Sequence, residues 1–239
     1  MRDIEFDNVD KVEEKHFWFK NKRRIFSHFL NKYYKNGLIL DSACGTGRDL
    51  KDLKNSIGMD YNFYALKYAK KYCDKLVNGD ANFLPFKDKT FEIIFSFDLL
   101  QHEGIDFDKV LKEYNRVLKK EGYIFLNLPM FNFLYSKHDI AVNNSIRFDM
   151  KDLKKFKNYG FSTQDKIYWN FVLFPLIVFL RKFVFQFFSY DETSDVKETG
   201  KLTNLLLDKI FSFEFKLSKK NILPLGVSCF IVLRKEVDL

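Results

Sequence analysis

The chain has 239 residues, 46% of them hydrophobic, which indicates one globular domain or one domain with a sizeable insertion. The net charge of +8 favours an anionic partner, but the basic residues are scattered along the chain, as is typical of solvated protein faces. The three cysteines match no metal-binding spacing and the N-terminus lacks the apolar core of a signal peptide, so we expect a cytoplasmic protein without a metal site.

Hydrophobic periodicity predicts a helical segment over residues 1–36, followed by strands that alternate with helices. Strands are predicted at residues 38–41, 56–60, 76–78, 91–97, 123–128, 161–168 and 226–234. Helices are predicted at residues 62–72, 108–120 and 149–158. This alternation is typical of a doubly wound α/β fold, which has a mostly parallel sheet and helices on both faces.

The second half of the chain contains a long interruption. Residues 169–225 separate the last two predicted strands, and this is too long for a simple hairpin loop. We therefore predict an inserted helical cap at 169–225, on a core domain formed by 37–168 and 226–239. Residues 1–36 form the predicted N-terminal helical lid, and the charged stretch 190–200 is a candidate mobile loop.

An uncharged segment begins the predicted cap. Residues 168–180 (YWNFVLFPLIVFL) carry no charge, and Arg181 and Lys182 follow them. The segment is too short to span a bilayer. It predicts a buried cap helix, an apolar substrate pocket, a dimer contact, or a peripheral membrane contact through residues 168–189. The sequence leaves these alternatives open.

The strongest local pattern is residues 38–50 (LILDSACGTGRDL), where a predicted strand ends in Asp41 and a glycine turn leads into a helix. Gly45 and Gly47 allow a ligand to approach the backbone closely, because a Cβ would block it. Asp60 ends the next strand, about 20 residues later, where a carboxylate accepts hydrogen bonds from ribose hydroxyls. Asp41 would repel the phosphates of a dinucleotide, and it suits an adenosyl ligand that carries a cationic amino group.

These segments resemble the class I S-adenosylmethionine-dependent methyltransferases over about residues 36–130. LDSACGTGRDL resembles their first motif, IGMDYN the second and NGDANFLPFKDKTFEIIFS the third, while EYNRVLKKEGYIFLNLP resembles the helix and strand that follow. Ala43 stands where the first glycine usually occurs, and alanine is the mildest replacement. The resemblance implies a Rossmann-like, mostly parallel seven-stranded sheet with one antiparallel strand.

The same resemblance implies S-adenosyl-L-methionine as the cofactor and S-adenosyl-L-homocysteine as its product. In the family, Asp60 corresponds to the ribose ligand, and Asp80 lies near the adenine amino group with Ala81 beside it. The implied cofactor-binding residues are Asp41, Ala43, Gly45, Gly47, Asp60, Tyr61, Asp80, Ala81 and Phe97.

Candidate catalytic residues follow the fourth and fifth strands, because α/β sheets bind ligands beyond the carboxyl ends of their strands. Asp98 and His102 follow the fourth strand, and His138 follows the fifth. A histidine can accept a proton from a hydroxyl or amine near neutral pH. We take His138 as the first candidate for the general base and His102 as its competitor.

Candidate substrate-binding residues flank His138 and occur near the N-terminus. Ser136 and Asp139 flank His138, and Arg147 is suited to hold a carboxylate or phosphate through two hydrogen bonds. In the family an N-terminal helix commonly covers the cofactor, and residues 16–19, including Trp18, are suited to that part.

A second, narrower resemblance involves the ends of the chain. HFWFKNKRRI, SKHD with Arg147-Phe148, and LPLGVSCFIVLRK are similar to a methyltransferase subgroup associated with glycan or lipid-linked sugar assembly. The sequence therefore predicts methyl transfer to a small-molecule, sugar or lipid-linked acceptor.

Two alternatives remain open. The basic charge favours a nucleic-acid methyltransferase, although Ser96-Phe97-Asp98-Leu99 stands where an N-P-P-Y-type tetrapeptide would be expected. The other alternative is a partner subunit that binds the cofactor without catalysis.

Overall fold

The computed structural model describes residues 3–184, 199–220 and 222–239, and a seven-stranded sheet forms its centre. The strands are β1 (Ile39–Asp41), β2 (Ser56–Asp60), β3 (Leu76–Asn78), β4 (Phe91–Phe97), β5 (Leu118–Pro129), β6 (Phe161–Trp169) and β7 (Ser228–Lys235). The α-helices are α1 (Asp3–Val12), α2 (Phe17–Tyr33), α3 (Phe63–Ala69), α4 (Phe107–Val117), α5 (Lys137–Ala141), α6 (Phe174–Phe179) and α7 (Lys201–Ser218). Shorter helical turns are the 3-10 helices Arg48–Leu50, Asn132–Leu134 and Asp152–Tyr159 and the π-helical turn Leu180–Val184.

The strand order is β3-β2-β1-β4-β5-β7-β6, and β7 runs antiparallel to both of its neighbours. The remaining pairs are parallel, which confirms the predicted doubly wound, mostly parallel sheet with one antiparallel strand. The order in which successive strands are added to the sheet reverses between β1 and β4. A crevice forms there at the carboxyl ends of the strands, which is where such sheets bind ligands.

Helices cover both faces of the sheet, so its central strands are apolar almost without interruption. On one face, α4 buries Val110, Leu111 and Tyr114 against the strands. On the other face, α2 buries residues at helical spacing, among them Phe26 and Phe29. The N-terminal lid is thus part of the core as well as a cover for the crevice.

The structure differs from the predicted elements in three places. Residues 1–36 form two helices, because the chain turns before His16, whose Nδ1 accepts a hydrogen bond from the Trp18 amide and caps α2. The strand expected at 123–128 begins earlier, at Leu118, as soon as α4 ends. The helix expected at 149–158 is the 3-10 helix Asp152–Tyr159. Residues 190–198 of the candidate mobile loop lie outside the described part of the chain.

Helix α7 lies between β6 and β7 in sequence and packs on α2. Asp208 of α7 forms ion pairs with Lys20 and Arg24 of α2, each at 2.6 Å. Asn204 accepts a hydrogen bond from the Phe17 amide at 2.7 Å and donates one to the Lys15 carbonyl at 2.9 Å. The cap therefore fixes the lid in position. None of the described helices is long and apolar enough to cross a membrane.

Trp169, at the end of β6, connects the lid to the sheet. Its ring lies 4.3 Å from that of Trp18, and its Nε1 donates a hydrogen bond of 2.9 Å to the Asn127 side chain. Gly226 packs directly on the Trp169 backbone, and a Cβ at position 226 would overlap the Trp169 carbonyl oxygen. Position 226 therefore requires glycine for the close approach of two chain segments.

We expect Gly226→Ala to lower the free energy of unfolding by about 1–3 kcal/mol, because the added methyl group overpacks a buried contact. Thermal unfolding followed by circular dichroism measures this change. Gly200→Ala is the matched control, because a Cβ there would meet only the Thr203 hydroxyl at 4.0 Å. The control should change stability by less than about 0.5 kcal/mol. Equal stability of the two variants would contradict the packing argument.

Candidate active site

A cavity of about 700 Å³ opens at the carboxyl ends of β1, β2 and β4, and residues of α1 and α2 form one of its walls. The structure brings together most of the predicted cofactor residues here. Those that line the cavity are Asp41, Ala43, Gly45, Asp60, Tyr61, Asp80, Ala81 and Phe97.

The glycine turn after β1 is fastened to the end of β2. The Gly45 amide donates a hydrogen bond of 2.7 Å to Oδ2 of Asp60, and the Asn62 amide donates one of 2.8 Å to Oδ1. Gly45 and Gly47 have φ values of 52° and 75°, a region that favours glycine. Gly47 does not line the cavity, and its Cβ would lie 2.6 Å from the Ala69 Cα. The structure thus gives Gly47 a packing role in place of the predicted ligand contact.

The described residues that line the cavity are strongly acidic. Only Lys22 and Arg48 carry a full positive charge among them. Seven residues carry carboxyl groups, namely Glu13, Asp41, Asp49, Asp60, Asp80, Asp98 and Glu103. Burial raises the pKa of Asp41 well above its ordinary value, and the carboxylates of Asp49 and Asp60 add to this effect. Such a cavity favours a ligand with positive charge.

Lys22 of α2 is the buried cation of this site. Its Nζ lies 3.4 Å from Oδ2 of Asp49 and 3.7 Å from Oδ2 of Asp98. It also lies 5.3 Å from the centre of the Phe97 ring, within the range of a cation–π contact. Burial lowers the pKa of Lys22, but the two carboxylates outweigh burial and raise it, so the ammonium form persists. Lys22 therefore neutralises part of the acidic wall.

Glu13, which follows α1, is the acidic residue of the lid. The Thr46 hydroxyl donates a hydrogen bond of 2.8 Å to its carboxylate, next to the glycine turn. Burial raises the pKa of Glu13 to about 7, although the bond from Thr46 opposes this shift. Glu13 therefore changes charge near neutral pH. It lies where the lid meets the glycine turn after β1.

The opposite side of the cavity carries two of the predicted catalytic residues, Asp98 and His102. Asp98 follows β4 with φ at 57°, and its Oδ1 accepts a hydrogen bond of 2.7 Å from the Asn127 side chain. Nδ1 of His102 lies 3.2 Å from the carbonyl oxygen of Asn143. Because a carbonyl only accepts, Nδ1 carries the proton and Nε2 keeps its lone pair. Burial lowers the pKa of His102, so the neutral ring prevails at pH 7.

The segment after β5 is arranged differently from what we expected. Asp139 is 0% exposed at its side chain and forms ion pairs with Arg147 at 2.8 Å and Arg181 at 2.9 Å. Ser136 and Asp139 together form the capping box of α5. None of these described residues lines the cavity, and the Asp139–Arg181 ion pair joins the core to the described part of the cap.

His138 and Trp18 also lie apart from the lining residues. Burial and the nearby Arg181 lower the pKa of His138 well below its ordinary value. Trp18 packs against Trp169, and its neighbour Phe19 lines the cavity instead. The acceptor-binding roles of these residues stay predictions, and the geometry favours His102 over His138 as the base.

Sequence reasoning missed several lining residues, including Phe6, Glu13, Lys22 and Asp49. Three of these four precede the first strand, and only the fold of the lid over the sheet brings them to the cavity. The signal that was available was polar residues inside an otherwise apolar helical pattern, such as Lys22 between Phe19 and Phe26.

Comparisons with known proteins agree with this arrangement. Residues 40–126 match the methyltransferase domain family. An uncharacterized protein of Methanocaldococcus jannaschii is 34% identical over 157 residues, which cover 64% of this chain and 59% of the relative. A protein of Homo sapiens with the name probable tRNA methyltransferase 9B is 30% identical over 122 residues, which cover 48% of this chain and 27% of the relative. The chain thus spans about half or less of the length of several curated relatives that it matches.

Solved structures share the fold at low sequence identity. A SAM-dependent methyltransferase from Thermotoga maritima superposes with a TM-score of 0.60 at 17% identity. The superposition covers 97% of this chain and 95% of that one.

We expect Asp60→Ala to weaken S-adenosyl-L-homocysteine binding by about 1.5–3 kcal/mol, because it removes charge-assisted hydrogen bonds to the ribose and loosens the Gly45 turn. Isothermal titration calorimetry measures this loss. Asp74→Ala, which removes an exposed carboxylate beyond α3, is the control and should leave affinity unchanged. Equal affinity of both variants would contradict the assignment of Asp60.

We expect the affinity for S-adenosyl-L-methionine to rise with pH between about pH 6 and 8, because Glu13 loses its proton with a pKa of about 7 and its carboxylate attracts a cationic ligand. Glu13→Gln keeps an acceptor for the Thr46 hydroxyl but carries no charge, so its affinity should vary less over this range. Calorimetric titrations at several pH values check this. The same pH dependence in both proteins would assign it to another group.

Proposed function

We propose that this chain, whose residues 40–126 match the methyltransferase domain family, is a class I S-adenosylmethionine-dependent methyltransferase that methylates a hydroxyl or amine of a small-molecule, sugar or lipid-linked acceptor. The observation that carries this proposal is the single acidic cavity that joins the predicted cofactor residues to Asp98 and His102.

The residues of the cavity fit the cofactor. When bound, S-adenosyl-L-methionine supplies a methyl carbon made electrophilic by its sulfonium charge. Asp60 is placed to hold the ribose, and the acidic wall complements both the sulfonium and the amino group. Asp49 adds a partly buried carboxylate to this wall, with its Oδ1 3.8 Å from a guanidinium nitrogen of Arg23. The acidic wall would hold the cationic cofactor more strongly than a product with an uncharged sulfur, which would favour product release.

His102 is the proposed general base. Its Nδ1 proton is directed at the Asn143 carbonyl, so Nε2 is free of a proton and able to take one from the acceptor. Asp98, fixed by Asn127, is placed to orient the acceptor or to stabilise the protonated ring. The rest of the catalysis would come from holding the two reactants in line.

The charge of the cavity indicates which class of acceptor the site favours. A chain of phosphates would meet seven carboxyl groups, while Lys22 and Arg48 already have carboxylate partners in Asp49 and Glu14. The walls of the cavity also include the apolar side chains of Phe19 and Leu99. These features favour a neutral or cationic, partly apolar acceptor over a nucleic acid.

A nucleic-acid acceptor is the second candidate, because the chain has a net charge of +8 and resembles a protein with a tRNA methyltransferase name over 122 residues. A methyl-transfer screen with labelled cofactor separates the candidates. It should contain tRNA, lipid-linked glycans, sugars and small amines. Transfer to tRNA alone would overturn the proposal, and cofactor binding without transfer to any acceptor would favour a non-catalytic partner subunit.

With the acceptor that the screen identifies, we expect His102→Ala to lower kcat by about 10²–10⁴-fold and to leave S-adenosyl-L-homocysteine affinity within about twofold. The wild-type rate should fall only at a pH below the ordinary histidine pKa of about 6.5, because burial lowers the pKa of His102 and protonation of its ring removes the base. His138→Ala is the comparison and should have a small effect. Full activity of His102→Ala between about pH 6 and 9 would assign the proton transfer elsewhere.

A further inference from the structure

The described part of the cap exposes large apolar side chains, and one row of them runs along α6. Val172 lies just before α6, and Leu176, Phe179 and Phe183 follow it at helical spacing through α6 and the π-helical turn; these side chains are 49%, 52%, 55% and 62% exposed. On α7, the exposed apolar residues are Leu202, Leu205, Leu206 and Phe213. We call these eight residues the cap face. Clustered apolar exposure of this kind marks an interaction surface in a folded protein.

The fold holds the α6 part of the cap face outward. At its start, the Val172 amide donates a hydrogen bond of 3.0 Å to the buried Glu214 side chain of α7. At its end, Arg181 donates hydrogen bonds of 2.9 Å to Asp139 and to the Leu134 carbonyl. Phe174 packs inward, with its ring 5.5 Å from that of Phe131. Because both ends are tied to the body of the protein, the row cannot turn inward without breaking buried polar contacts.

In the described cap, the carboxylates and the lysines lie on opposite sides. The carboxylates of the described cap belong to Asp208 and Glu214, and both point inward, to α2 and to the start of α6. The lysines point outward, and the exposed ones in the described cap are Lys182, Lys201, Lys209, Lys216, Lys219 and Lys220. On α7, Lys209 and Lys216 share the helix side of Leu202, Leu206 and Phe213.

From this arrangement we infer that the cap face docks on the surface of an anionic lipid bilayer. A helix that inserts into a membrane interface combines exposed Leu and Phe with lysines beside them, and its strength grows with apolar area and with negative lipid charge. A protein partner would also cover apolar side chains, but the described cap directs lysines outward and both of its carboxylates inward, which favours a negatively charged lipid surface. A role of this docking in catalysis rests on the proposed function. Because Asp208 of α7 fixes the lid, a bilayer bound at the cap face would lie close to the lid that covers the cavity.

Co-sedimentation with vesicles tests the inference without any measurement of methyl transfer. The full chain is mixed with vesicles of equal parts phosphatidylcholine and phosphatidylglycerol, and with vesicles of phosphatidylcholine alone. We expect sedimentation with the anionic vesicles, weakened by salt. Wild-type protein that stays in the supernatant in both cases would overturn the inference, whatever its activity.

Two pairs of charge-reversal variants test whether the lysines of the cap face act specifically. Lys209→Glu/Lys216→Glu should weaken vesicle binding by at least about tenfold, since each lysine near an anionic surface contributes about 1 kcal/mol. Lys51→Glu/Lys112→Glu makes the same change in net charge at exposed positions outside the cap and should bind as wild type does. If both pairs weakened vesicle binding equally, the effect would come from net charge alone. The assignment of the cap face as the docking surface would then be overturned.

The apolar component is tested with Phe179→Ser/Phe183→Ser, which should also weaken binding by at least about tenfold. Leu239→Ser, at a side chain that is 66% exposed far along the chain, is the control and should have no effect. Sedimentation velocity and thermal unfolding are measured on the same variants. If the double variant abolishes a dimer, or lowers the melting temperature as a core substitution does, the face is covered by a second copy or by the chain itself, and membrane docking is overturned.

Discussion

The convergence of carboxyl groups at one edge of the sheet is the constraint on which the rest of the site depends. Four neighbouring strands, β3, β2, β1 and β4, each deliver an aspartate at or just beyond their carboxyl ends, namely Asp80, Asp60, Asp41 and Asp98. Adjacent strands lie about 4.8 Å apart, so like charges at this edge repel one another strongly in a partly buried site. Burial is the main cause of the raised pKa values of Asp41 and Asp60, and at Asp41 the carboxylates of Asp49 and Asp60 add to it. A cationic ligand favours the charged form of these groups, which links the affinity of the site to the charge of the cofactor.

The lid follows from the same constraint. Lys22 brings one buried ammonium group to Asp49 and Asp98, and Glu13 adds a carboxyl group whose charge depends on pH. These residues reach the cavity only because α2 lies on the sheet, and α2 in turn is held by Asp208 and Asn204 of α7. The described part of the cap therefore influences the cofactor site through the position of the lid, and none of its residues lines the cavity.

A second connection runs through buried polar groups to the acceptor side. Trp169 packs on Trp18 of the lid and donates a hydrogen bond to Asn127, which in turn donates one to Asp98. Asn127 is completely buried, so a change at any member of this row leaves a polar atom without its partner. The left-handed backbone of Asp98 is maintained by this surrounding structure, as is common where a strand delivers a functional side chain.

The sequence by itself determined the sheet, its mostly parallel character and the cofactor side of the cavity. Local signals carried this information: apolar strands, glycines at the turn after Asp41, and an aspartate at the end of the next strand. Each depends on a few neighbouring residues, and parallel strands necessarily bring their carboxyl ends to one edge. The family resemblance rested on these same segments.

Only the tertiary structure decided which distant residues meet them. His102 and His138 look alike in sequence, since each follows a strand, yet one lines the cavity and the other lies beside the Asp139 ion pairs that join α5 to the cap. Lys22 and Glu13 are ordinary charged residues of a helical segment until α1 and α2 fold over the sheet. Contacts between segments far apart in the chain are set by the packing of whole elements, and no local spacing encodes them.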